Sequence, residues 1–418
     1  MRSGLEERSN SALHRHLFSM RSRKVPTLFL ATLLLWFLSV IVVCLRTYAH
    51  PGWHSVFPTY RDAGAGWIHQ AQLYGAPGVF LYSPLVAALF SPFALVSQNV
   101  GEVLWRLLLG IALPLALWFN ARTLFDFSKK EFAWLFLLIL PLTLSSLNNG
   151  QANIIIIVLF LVAAGTASQA RWIISAFCAG FAVYWKIYPI AFALLLAVVF
   201  PKKLIFRILL TLIGLFVVSL LFQKPSYVLQ QYGDWLVNLA SDRRRAHEYY
   251  GKWRDFYLLL RLLGIPLSIV WWQVVELIAG VIAAAICFVE TIRRWPRATL
   301  LFGAMSLAIV WILLFGPATE AATYVLIAVP SAYLLIAAWS DASQQSLQIT
   351  STITYLGFVS AQILNSWFRI KEDVYFLRAI QPCFALCFCA ALFFWWKREL
   401  RNEAEQPCSA SERSKMQC

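Results

Sequence analysis

Asn148-Asn149-Gly150-Gln151-Ala152-Asn153, followed at once by Ile154-Ile155-Ile156-Ile157, separates the apolar stretch 132–147 from the one that begins at 153. Four carboxamides around one glycine cannot face lipid, because each unpaired amide in hydrocarbon costs several kcal/mol. The segment has to cap helix ends at water, inside protein or against a polar ligand. Two apolar helices broken by such a turn point to a membrane protein that handles something polar.

The rest of the chain has the same character. Apolar runs recur from Val25 to Trp396, at 26–45, 103–121, 132–147, 153–168, 172–185, 188–200, 204–222, 267–289, 298–315, 321–339, 350–366 and 376–396. A bilayer core takes about 20 apolar residues as a helix, so the expected fold is an all-α polytopic bundle of about twelve transmembrane helices. Several runs are short, which predicts broken or tilted helices. A soluble chain of 418 residues would not combine 13% charged residues with 18 Trp and 31 Phe. The net charge of +15 does not signal nucleic acid, because most Lys and Arg cluster at helix ends, where they orient membrane helices.

Charge also sets the expected topology. Residues 1–25 form a basic N-terminus before a first helix, Pro26 to Leu45, that is too long and too poor in small residues for a cleaved signal. Pro84 to Val96 is apolar but only 13 residues long and interrupted by Pro92, so it reads as a re-entrant or interfacial helix. If it does not cross, Lys129, Lys130, Arg171, Lys202, Lys203, Arg293, Arg294 and Arg297 all fall on the cytoplasmic side. Both termini then lie inside, with a cytoplasmic tail at 397–418 after a single membrane domain at 26–396. Two long outer loops result, about 46–102 and 223–266.

Nearly every unusual polar group then gathers on the outer side. The first loop carries Tyr60, Asp62 and Tyr82; the turn carries Asn149, Gln151 and Asn153; a break between short helices carries Lys186 and Tyr188; Glu320 follows a Gly-Pro break. The second loop adds Arg243-Arg244-Arg245, Arg254 and Asp255. An ammonium between two apolar helices is costly without an anion or water, so Lys186 is either a phosphate contact or a lysine snorkelling at a helix end. Arg254 has the fork that suits phosphate. Asp62 and Glu320 are the best-placed candidates for a base that deprotonates a sugar hydroxyl, and either could instead cap a helix. His50 and His54 have a helical metal spacing, but Pro51-Gly52 breaks that helix; Cys383, Cys387 and Cys389 read as packing residues. No metal site is assigned, although a divalent cation stays open. Walker, HExxH and GxSxG patterns are absent.

In order along the chain, Tyr82-Ser83-Pro84-Leu85, Asn149-Gly150-Gln151-Ala152-Asn153 and Lys186-Ile187-Tyr188-Pro189 resemble glycosyltransferase family 87. The resemblance covers roughly residues 46–340. It implies a GT-C-like membrane enzyme that takes mannose or a related sugar from a polyprenyl-phosphate donor to a lipid or glycan acceptor, inverting the sugar at the outer face of the cytoplasmic membrane. It implies Lys186 at the donor phosphate and a first-loop Asp as base. The family's Asp-Phe pair falls here on Val56-Phe57, with Asp62 six residues later. A flippase of lipid-linked sugars, or a non-catalytic envelope-assembly protein, are the alternatives from other classes.

Overall fold

A computed structural model describes residues 27–74, 80–240, 253–265, 267–316, 319–341, 343–367 and 375–405. The basic N-terminus, Arg243 to Arg245 and most of the tail lie outside the described residues. Those described are helical, with no strand among them.

Eight helices among the described residues are long and apolar enough to cross a membrane: Thr27–Ala49, Gln98–Asn120, Lys129–Asn149, Pro201–Leu221, Ile269–Ile292, Arg297–Leu314, Ala321–Trp339 and Leu377–Glu403. Four apolar helices are shorter: Pro84–Ala94, Asn153–Ser168, Trp172–Trp185 and Ile190–Val199. Eight long helices and a set of short ones thus stand where the sequence shows about twelve apolar runs, several of them short. The short helices follow directly from sequence breaks at Gly150, Arg171, Lys186 and Pro201. At about 1.5 Å per residue, none of the four reaches the ~30 Å of a hydrocarbon core as a straight helix.

In chain order, α1 is Thr27–Ala49, α2 Phe57–Ile68, α3 Pro84–Ala94, α4 Gln98–Asn120, α5 Lys129–Asn149, α6 Asn153–Ser168, α7 Trp172–Trp185 and α8 Ile190–Val199. They are followed by α9 Pro201–Leu221, α10 Pro225–Ala240, α11 Phe256–Leu262, α12 Ile269–Ile292 and α13 Arg297–Leu314. After a 3-10 turn at Ala321–Ile327 come α14 Ala328–Trp339, α15 Gln345–Trp367 and α16 Tyr375–Glu405. The most deeply buried helices are α6, α13 and α14, and around them α1, α9 and α12 expose broad apolar faces.

The first loop is itself a helical hairpin. Gly64 of α2 lies so close to the Phe90 carbonyl of α3 that a Cβ would overlap it. That approach lets Phe57, Tyr60 and Phe90 bury their rings together, with Tyr60 and Phe90 centroids 4.8 Å apart. The second loop begins as α10 and clasps the first. Gln231 accepts from the Leu73 N–H at 2.9 Å, Tyr227 donates to the Ala71 carbonyl at 2.7 Å, and Gln72 donates to Asp234 at 2.8 Å. The described start of the second loop is thus fastened to the first.

Candidate active site

The carboxamide turn begins where α5 ends. Gly150 takes a left-handed conformation at the helix C-cap, φ 70°, a region that costs a residue with a Cβ about 1–2 kcal/mol. Its N–H and that of Gln151 close back on Leu147 and Ser146. The chain turns, and Asn153 opens α6.

A buried ion pair holds this turn in place. Arg106 of α4 meets Glu102 one helical turn earlier at 3.2 Å, with both side chains essentially solvent-free. The guanidinium also donates to the Asn148 carbonyl at 2.8 Å and to Ser55 Oγ at 3.0 Å. Glu102 in turn accepts from the Gly52 N–H at 2.7 Å. Around it, Trp105 donates to the Gly150 carbonyl at 2.8 Å, Asn149 donates to the His54 carbonyl at 2.8 Å, and the Val56 N–H reaches the Asn149 carbonyl at 3.0 Å. Arg106 is not among the candidates read from the sequence. The available signal was the i, i+4 spacing of opposite charges near the start of an apolar helix.

Beyond the turn, side chains from four separate segments meet. Asn153 Oδ1 accepts from the Lys186 ammonium at 3.0 Å and from the Tyr188 hydroxyl at 2.6 Å. Lys186 lies at the C-cap of α7 in extended backbone, 5.6 Å from the centre of the Tyr82 ring and 5.4 Å from that of Tyr188. Two aromatic faces and an amide oxygen thus offset part of the cost of burying the ammonium. Tyr60 and Tyr82 share a hydrogen bond of 2.8 Å, and the Tyr60 hydroxyl also receives the Ala152 N–H. Burial pushes both phenols above the usual tyrosine range, so both remain neutral hydroxyls.

Glu320 closes the group from the far side. It stands at the N-cap of the 3-10 turn, its carbonyl accepting the Thr323 N–H at 2.9 Å while the Thr323 hydroxyl accepts from its backbone N–H. Ser146 donates to the Ala322 carbonyl at 2.7 Å, fastening that turn to the end of α5. Gln151 Nε2 approaches Glu320 Oε2 at 3.5 Å. The acid is therefore both the N-cap residue and a member of the cluster. Two buried polar atoms in this group have no protein partner, Gln151 Oε1 and Asn153 Nδ2. Together they offer one acceptor and one donor.

Arg254 forms a neighbouring station. Its Nη1 donates to Asn365 at 2.7 Å and to Gln381 at 2.9 Å, and its N–H reaches the Thr319 carbonyl at 2.7 Å, next to Glu320. Its Nε is buried with no acceptor. Burial lowers its pKa to about 10; the Tyr324 phenol and the Glu320 carboxylate act in the opposite sense, and the like charge of Arg378 adds to the lowering. The guanidinium is still charged at neutral pH.

The structure thus brings together Tyr60, Tyr82, Gln151, Asn153, Lys186, Tyr188 and Glu320, with Arg254 alongside. It does not bring in Asp62, which is exposed on α2 away from the buried Tyr60 face, and it uses Asn149 to fasten the first loop. No group of three or more His, Cys, Asp or Glu that could hold a metal occurs among the described residues.

Comparison with known proteins supplies an independent line. The sequence model for glycosyltransferase family 87 matches residues 80–317, more than half the chain, and spans Tyr82, the carboxamide turn and Lys186. A stretch of 120 residues is 32% identical to GPI mannosyltransferase 1 of Trypanosoma brucei brucei (strain 927/4 GUTat10.1). That stretch is 28% of this chain and 27% of the relative, so the chain spans about a quarter of the length of the curated protein it matches.

Proposed function

The chain belongs to glycosyltransferase family 87, and on that premise we propose that it transfers mannose or a related glycosyl unit from a polyprenyl-phosphate donor to a lipid or polysaccharide acceptor. The observation that carries this reading is the meeting of Glu320 with Gln151, Asn153 and Lys186 in one partly buried group. A carboxylate, two carboxamides with open polar atoms and a cation are the parts that inverting transfer from a lipid phosphate requires.

In this reading Glu320 is the base. It takes the proton of an acceptor hydroxyl, whose oxygen forms a bond to the anomeric carbon as the bond from that carbon to the phosphate oxygen breaks. The lipid phosphate leaves with the electron pair, and Lys186 and Arg254 balance its charge. Gln151 Oε1 and Asn153 Nδ2 hold sugar hydroxyls, and Tyr60, Tyr82 and Tyr188 line the approach as neutral hydroxyls and rings. Asp62 is the second candidate for the base. The exposed face that carries it makes it the weaker one.

The site is read as facing outward from the cytoplasmic membrane, with both termini inside. The α2–α3 hairpin then lies at the interface, and the short helices pair with the long ones to make about twelve crossings. Cysteine labelling at position 149 tests this, and access from the cytoplasm alone would reverse the orientation. The activity is tested with purified protein, radiolabelled polyprenyl-phosphate mannose and a panel of lipid and glycan acceptors. Transfer that requires Glu320 and Lys186 supports the proposal. Protein-dependent movement of the donor between leaflets without transfer would make the protein a flippase instead.

A further inference from the structure

A cavity of about 500 Å³ lies between α12, α13 and α16, with an almost wholly apolar lining. The exception is Glu290, which is 1% exposed and whose Oε2 has no hydrogen-bond partner among the described residues. Trp395 lines the cavity too, is 2% exposed, and its indole N–H likewise has no acceptor among them. Two contacts place these groups at the same end. Trp395 packs on Trp295 at 6.4 Å, and the Trp295 backbone N–H reaches the Glu290 carbonyl at 3.3 Å. On the facing helix, Trp395 meets Phe302 at 5.2 Å, and the next residue, Gly303, lies against the Glu290 carboxyl.

Gly303 gives that end its room. It sits inside α13, where glycine weakens a helix relative to alanine. A Cβ there would stand 3.2 Å from Glu290 Oε2 and 3.5 Å from Oε1. The polar end also lies at a membrane boundary. Glu290 is two residues from the end of α12, and just beyond it Arg293 pairs with Glu403 at 3.5 Å while Trp295 Nε1 donates to Glu403 at 3.1 Å. From there the apolar lining follows α12 back to Ala279, about 16 Å of helix. Ile282, 55% exposed, is part of that lining, so the cavity opens toward the lipid-facing side of the bundle. The Glu320 turn follows the far end of α13, so the two polar groups are separated by most of that helix.

These surfaces select the head of a ligand. No Lys or Arg is among the lining residues, so a phosphate head would face the buried carboxyl without a counterion. An ammonium would meet Glu290 but has no lone pair for the Trp395 N–H. A hydroxyl serves both, donating to the carboxyl and accepting from the indole. We infer that this cavity binds a neutral hydrocarbon with an alcohol head, its hydroxyl at Glu290 and Trp395 and its chain along α12. The site is an accessory one, apart from the sugar-transfer cluster and independent of that reading. The chain exchanges one apolar solvent for another, so selectivity comes from the head.

The test is photo-labelling of the full chain in phosphatidylcholine nanodiscs with a diazirine-bearing dodecanol, the adducts mapped by mass spectrometry. Adducts should fall on the cavity-lining stretches of α12, α13 and α16. Unlabelled dodecanol should displace the probe at roughly a tenth of the concentration needed of dodecane, dodecyl phosphate or dodecylammonium. Glu290→Leu should level that ranking, and Ala283→Phe, which fills the cavity, should abolish the adducts. No adducts, or adducts spread evenly over the lipid-facing helices, would overturn the site. Displacement by dodecane or dodecyl phosphate as effective as by dodecanol would overturn the alcohol head, and so would equal displacement by dodecylammonium. If Glu290→Leu does not fold, Gly303→Ala, which presses a methyl group on the same carboxyl, takes its place. The displacement series on wild type decides without either variant.

Discussion

Replacing Arg106 by Leu removes the member of the site that is most deeply embedded and least able to be replaced by water. Arg106 pairs with Glu102 at 3.2 Å while both are 0–1% exposed. It also donates to the Asn148 carbonyl through Nε at 3.3 Å and Nη2 at 2.8 Å, to Ser55 at 3.0 Å, and to the Glu102 carbonyl at 3.2 Å. In Arg106→Leu, Glu102 keeps donors from Gly52 and Gln98, but its charge has lost its counterion in a dry setting. Breaking such a pair costs about 3–5 kcal/mol, and no discount for solvent screening applies at this burial. The lost bonds to Asn148 and Ser55 overlap with that figure, because one side chain makes them all. Removing both charges, in Glu102→Leu with Arg106→Leu, should cost less than the two single changes summed, by at least about 2 kcal/mol. Unfolding titrations of the purified protein in mixed micelles, followed by tryptophan fluorescence, measure all four corners of the cycle. A loss under about 1 kcal/mol for Arg106→Leu, or strict additivity in the double variant, would refute the view that this pair clamps the turn.

Further changes divide the roles within the cluster. Glu320→Gln should lower kcat by roughly 10²–10⁴ while donor binding stays within about threefold, whereas Asp62→Asn should leave both nearly unchanged; the reverse pattern in steady-state kinetics would move the base to α2. Lys186→Met removes a charge-assisted contact worth about 1.5–3 kcal/mol, so donor KM should rise roughly 10- to 100-fold, and an unaltered KM would reduce Lys186 to a structural role. Gly150→Ala forces a Cβ into the left-handed region at φ 70° and should cost about 1–2 kcal/mol, read as a lowered apparent Tm with loss of activity following the same curve.

Much of the bundle is legible in composition and spacing, because hydrocarbon permits few backbone solutions. The breaks at Gly150, Lys186 and Pro201 mark real helix ends, and Pro84–Ala94 is indeed too short to cross as a straight helix. The helical content of the loops was harder to read. Residues Phe57–Ile68 and Pro225–Ala240 form helices whose apolar faces are narrow; the first is stabilised by packing on Pro84–Ala94 and the second by packing on Pro84–Ala94 and Pro201–Leu221, rather than by a long hydrophobic run. Most of the clustered residues could be nominated because each is an unaffordable polar group in an apolar setting. Their mutual distances could not, because Asn153 and Lys186, or Gln151 and Glu320, are joined only by tertiary contacts across 33 and 169 residues of chain.

Val56 stands where the family resemblance implies an acid, and the backbone there is held without one. It sits at the N-cap of α2 with no side-chain cap of its own, the place where an acid would otherwise satisfy the helix N-terminus. Its N–H is instead fixed by the Asn149 carbonyl, on the turn that also carries Gln151. Gln151 then leads across the cluster to Glu320, an acid at the N-cap of another short helix. A base needs reach and alignment rather than a particular position in the chain. In the reading proposed here the carboxylate approaches the acceptor from the 3-10 turn, while the first loop keeps its shape through Arg106, Glu102 and Asn149. The carboxamide turn sits between the two as the common reference. An error in its position would displace the sugar, the lysine and the base together, which is why its clamp should matter to catalysis as much as to stability.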